Sequence, residues 1–108
     1  MTVRFQVPQE KLPTLGQRAF LMIEDKTLTL FNVENQFYAI DDSCPHQGAS
    51  MFSGCLQGRT ISCPAHGLRF DLASGYLLNS TQLKVTSYPI EKVGEQVFIV
   101  LNSGEQHG

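Results

Sequence analysis

Two short stretches pair a thiol with an imidazole: Cys44-Pro45-His46 and Cys63-Pro64-Ala65-His66, with sixteen residues, 47–62, between them. Thiolate sulfur and neutral imidazole nitrogen are the ligands of structural zinc and of iron–sulfur centres. With one or two residues between donors, a single turn can aim both at one metal centre. A glycine follows each pair closely, at Gly48 and Gly67. Glycine lets the backbone turn through positive φ and approach a bound group closely, so that amide N–H groups can reach bridging sulfides. Two Cys and two His suit either zinc or a two-iron cluster. Zinc sites more often place two Cys in one loop and two His in the other. Here each loop supplies one of each, and on spacing alone both metals stay open.

Strand signals dominate the text around these loops. Residues 18–23, entered after Pro13 and Gly16, read as a strand. Residues 27–33 and 37–40, joined by Glu34-Asn35-Gln36, read as a hairpin. Residues 83–90 and 96–101 flank Gly94 and read as a closing hairpin, with Pro89 at a strand end or edge. No window holds a helical period. The tract from 41 to 80 is dense in Gly and Pro and reads as a loop-rich insertion carried on the β scaffold. It holds all three Cys and two of the three His. The expected architecture is all-β in a single domain, 1–108.

The chain has 108 residues, 42% hydrophobic, with a net charge of −2. It carries no cluster of Lys and Arg to engage nucleic acid or anionic lipid. The late apolar run Val97-Phe98-Ile99-Val100-Leu101 is far short of the roughly 20 residues of a membrane span. The N-terminus lacks the apolar stretch of a signal peptide. Three cysteines make a poor disulfide framework. A cytoplasmic location is the expectation.

The paired motif, continued by Gly67-Leu68-Arg69-Phe70-Asp71 and Ser74-Gly75 and preceded by Phe37-Tyr38-Ala39-Ile40-Asp41-Asp42, resembles the Rieske family over nearly the whole chain. The resemblance implies a Rieske fold: an antiparallel β sandwich of about three small sheets with a loop-rich cluster-binding subdomain, approximately 41–80. It implies one 2Fe-2S cluster, with Cys44 and Cys63 on the buried iron and His46 and His66 on the outer iron. Where the Rieske subunits of quinol-oxidising complexes carry a further Cys in each loop, this chain has Ala49 and Ala65. What remains is similar to the small Rieske ferredoxins of bacterial multicomponent oxygenases. Such a ferredoxin takes electrons from a flavin-dependent NAD(P)H reductase and passes them singly to an oxygenase component. It is not itself an enzyme. Only His107 is left as a further imidazole, which argues against a second, mononuclear iron site. One departure is that residues 76–81 lack the Pro-rich shielding stretch common after the second motif in that group.

Two other functions compete: a Rieske small subunit of another reductase, such as assimilatory nitrite reductase, and a zinc-stabilised structural module. Retention of all four ligands speaks against the first, because many such small subunits have lost them. Among the remaining residues, Cys55 reads as a small buried hydrophobe, His107 as solvated, and Asp41 and Asp42 as turn residues before Cys44. Gln47, Met51, Phe52, Leu68 and Leu77 are candidates for an apolar docking ring around the histidines.

The resemblance also bears on the redox potential. Quinol-oxidising relatives place a Ser and a Tyr hydroxyl against the cluster, at positions that are Leu68 and Phe70 here. Apolar side chains donate no hydrogen bond to an electron-rich centre, and without such donors the reduced form is less stable. Voltammetry is expected to place the midpoint in the lower part of the Rieske range, roughly −150 to 0 mV.

Overall fold

The computed structural model describes residues 2–23, 26–43, 50–64, 67–78 and 83–102. Among these described residues, ten strands form three antiparallel sheets, with two short 3-10 turns at Gln9–Lys11 and Met51–Ser53. The first sheet has the order β1-β10-β9, built from Thr2–Gln6, Gln96–Asn102 and Ile90–Val93. The second has the order β2-β3-β4-β8, from Arg18–Ile23, Lys26–Val33, Gln36–Asp41 and Ser87–Tyr88. The third joins β5 (Cys55–Gln57), β6 (Thr60–Ser62) and β7 (Arg69–Asp71).

The second sheet is buried on both faces, and β3 shows how. Side chains alternate across a strand. Leu28 and Leu30 enter one core with Leu21, Ala39, Val97 and Ile99. Phe31 enters a second core with Ile40, Met51, Ile61, Cys63 and Phe70. The first core is shared with the β1-β10-β9 sheet. The second lies under the small β5-β6-β7 sheet. The platform of the cluster region is therefore the reverse face of the sandwich.

The hairpin expected at 27–40 is present, with a tighter turn than the three-residue link suggested. Val33 pairs with Gln36, leaving Glu34 and Asn35 as a two-residue turn with φ of 53° and 69°. Both torsions are positive, as the twist of a short hairpin favours. Asn tolerates this region, whereas Glu34 adopts it at a cost of about 1 kcal/mol. The closing hairpin is shorter than expected. Its first strand begins at Ile90, and Gly94 (φ 62°) supplies the turn into β10. Pro89 has no N–H to donate and separates this strand from the two-residue β8.

Four strands are additions. β1 pairs along its length with β10, Phe5 opposite Ile99. Within the tract read as loops, β5, β6 and β7 form a sheet of three-residue strands, each too short for a periodic pattern to reveal. Among the described residues, no helix is long and apolar enough to cross a membrane.

Gly54 links the 3-10 turn to β5 and lies directly against β6. A Cβ there would overlap the Ser62 carbonyl oxygen. Gly54→Ala forces backbone apart in the cluster region, and denaturant unfolding is expected to show a loss of about 1–3 kcal/mol.

Candidate metal centre

The second ligand pair sits in the hairpin between β6 and β7. Ser62 pairs with Arg69. One residue further in, the Cys63 N–H donates to the Leu68 carbonyl at 2.7 Å, and the Gly67 N–H donates to the Cys63 carbonyl at 2.8 Å. Gly67 has φ 72°, a conformation L residues rarely adopt. Cys63 is 1% exposed and packs in the second core with Met51 and Phe70.

The first pair lies between Ser43 and Ser50, which form an isolated antiparallel bridge. β4 delivers the chain to this bridge, and the 3-10 turn Met51–Ser53 takes it away. Asp42, 7% exposed, governs the base. Its Oδ1 accepts from the Thr29 hydroxyl at 2.8 Å and the Phe52 N–H at 2.9 Å, and the Ser50 hydroxyl lies 2.7 Å from Oδ2. Its carbonyl accepts from the Met51 N–H at 2.6 Å. Arg18, on β2, donates from Nη1 to the carbonyls of Phe52 (2.9 Å) and Gly54 (2.7 Å), with its guanidinium 5.4 Å from the centre of the Phe31 ring. Neither residue was a candidate site residue in the sequence. Asp42 read as a turn residue and Arg18 only as part of a strand.

Cys44, His46 and His66 lie outside the described residues, as do Gln47, Ala49, Ala65, His107 and residues 79–81. Of the four expected ligands, the structure therefore places Cys63. Among the described residues, no three His, Cys, Asp or Glu side chains gather as a metal site. Cys55, expected to be buried, is exposed on β5. The expected docking ring divides. Met51 is fully buried and leaves it, whereas Phe52 is 38% exposed and meets Phe20 edge-on at 6.1 Å. Leu68 and Leu77 are partly buried against the second core.

The comparisons with known proteins bear on which group these loops hold. The Rieske [2Fe-2S] domain profile matches residues 4–89. The chain is a member of the Rieske family. A Rieske domain carries a 2Fe-2S cluster, which closes the zinc alternative left open by the spacing. The donor chemistry fits that group: a buried thiol at the root of one loop, and closed backbone at the root of each. The ferredoxin component of a naphthalene 1,2-dioxygenase system from Pseudomonas aeruginosa is 40% identical over 81 residues, 74% of this chain and 78% of the relative. A chain from the complex of reduced oxygenase and oxidized ferredoxin in carbazole 1,9a-dioxygenase superposes with a TM-score of 0.73 at 26% identity, covering 91% of each chain. A small subunit of NADH-dependent nitrite reductase from Mycobacterium tuberculosis superposes with a TM-score of 0.80, covering 95% of this Rieske chain and 98% of that one. At 20% identity, this is a likeness of fold alone.

Beside the first loop, the Tyr88 hydroxyl donates to Asp41 Oδ1 at 2.7 Å, tying β8 to the end of β4. Burial raises the Tyr88 pKa above the usual tyrosine value, and the hydrogen bond to Asp41 and its negative charge raise it further. The folded Rieske domain therefore keeps a proton that the unfolded chain releases near pH 10. The contribution is fully present below about pH 10 and is lost as pH rises beyond it. Denaturant unfolding is expected to show stability falling above that pH, and falling less steeply in Tyr88→Phe.

Proposed function

We propose that this chain is a soluble, cytoplasmic one-electron carrier whose 2Fe-2S cluster is held by Cys44, His46, Cys63 and His66. In this reading it accepts electrons from a flavin-dependent NAD(P)H reductase and delivers them to an oxygenase component. The whole chain, 1–108, acts as one Rieske domain, with the cluster-binding part at approximately 41–80. The carrying observation is the 40% identity to a dioxygenase ferredoxin component, together with retention of both ligand pairs at Rieske spacing. The chain acts as a component and not as a catalyst on its own. The nitrite reductase small-subunit alternative rests on likeness of fold without comparable sequence identity.

The bound cluster supplies a reversible one-electron couple. The chain's own residues do the rest. Cys63, sealed from solvent among Ile61, Met51 and Phe70, anchors the inner side of the site in a medium of low polarity. The side chains of Leu68 and Phe70 offer it no hydrogen-bond donor. His46 and His66, assigned to the outer iron, stand nearest a partner in this reading. Phe52 adds apolar surface beside the base of the first loop. A small apolar contact suits an encounter that must form and release at each turnover.

The dithionite-reduced protein is expected to give a Rieske EPR signal, with an average g below the free-electron value. Cys63→Ser is expected to abolish it. Cys55→Ser is expected to keep full iron, sulfide and signal. One bound zinc with EPR silence would overturn the assignment.

A further inference from the structure

Among the described residues, the two loops are rooted differently: the second in the β6–β7 ladder, the first in an isolated bridge. The described ends of the first loop meet in the Ser43–Ser50 bridge, and the segment beyond it is a three-residue 3-10 turn with no side-chain cap. Side chains supply what the main chain lacks. Asp42 receives Thr29 from β3, Ser50 from the far side of the loop and the Phe52 N–H from the turn. Phe52 is thus gripped at both of its main-chain groups, its N–H by Asp42 and its carbonyl by Arg18. Such convergence at a nearly buried position leaves few ways for the two loop ends to separate.

We propose that Asp42 is a positioning residue for the cluster: its carboxyl group ties Ser50 and Phe52 to Thr29 on the scaffold, and so sets where Cys44 and His46 are delivered. The inference rests on the ligand assignment above and extends it to a side chain that does not touch metal. Hydrogen-bond geometry, not charge, is the active property. An asparagine oxygen in the Oδ1 position would still accept from Thr29 and Phe52, and its amide could donate to the Ser50 oxygen. Alanine removes all of these contacts and leaves three donors without their acceptor.

The test uses the cluster-loaded wild type with Asp42→Asn, Asp42→Ala and Ser50→Ala. It reads the reduced EPR spectrum, the half-life of visible absorbance in a chelator, and far-UV circular dichroism. Asp42→Asn is expected to keep the wild-type g values and a half-life within about twofold. Asp42→Ala is expected to shift the g anisotropy and shorten the half-life about tenfold, the scale of losing an outer-shell partner. Ser50→Ala loses only the loop-side donor and is expected to shorten it about fivefold. It decides the matter where Asp42→Ala fails to fold. A folded Ser50→Ala with wild-type spectrum and half-life would overturn the proposal, as would an Asp42→Asn protein that loses its cluster as fast as Asp42→Ala. A wild type without any Rieske signal would instead overturn the ligand assignment itself.

Discussion

The fold depends on strands β3 and β4 being buried on both faces. Leu28 and Leu30 commit one face to the sandwich, and Thr29 and Phe31 commit the other to the cluster region. Because alternation in a strand is strict, a one-residue slip would exchange these sets and ruin both cores together. Register in the β2-β3-β4 sheet is therefore over-determined, and the tight Glu34–Asn35 turn can be held despite its unfavourable torsions. An electron-transfer site benefits from such a platform. Metal ligands need placement within a fraction of an ångström, and loops gain that precision only from rigid elements beneath them.

Much of this architecture was legible beforehand. β2, β3 and β4 announced themselves by composition, and Gly94 marked the last turn. The Rieske spacing named the family and its cofactor. β1 escaped because Thr2–Gln6 is an ordinary edge strand whose partner, β10, lies at the other end of the chain. Local pattern carries no information about such a long-range pairing. The strands β5, β6 and β7 escaped for a different reason. At three residues each, they owe their existence to packing over Phe31 and Ile40, not to intrinsic propensity.

Individual side chains were harder to read. Met51 and Phe52 are adjacent and both apolar, yet one is fully buried and the other exposed, because the 3-10 turn points them in different directions. Asp42 resembled any aspartate before a turn. What distinguishes it is the approach of Thr29, thirteen residues earlier, and Ser50, eight residues later. Cys55 misled in the opposite sense. A free thiol suggested burial, but β5 presents it outward.

The two loop bases solve one mechanical problem by different means, and the difference follows from what each loop is attached to. The second loop closes a hairpin, so the β6–β7 ladder already supplies parallel constraints, and the Cys63–Leu68 bond simply extends the ladder by one rung. Its thiol can sink into an apolar core because no polar side chain is needed beside it. The first loop connects a strand of the central sheet to a turn of another layer, and among the described residues its two ends meet in the isolated Ser43–Ser50 bridge. Side-chain hydrogen bonds must replace main-chain ones there. A buried carboxyl group is well suited, because its two oxygens together can receive donors from three separate segments of the chain. Such a group is costly to bury unless fully satisfied, and among the described residues no buried side-chain polar atom lacks a partner. The polar junction and the apolar core are thus complementary. One orients the entry to the site, and the other shields its inner side.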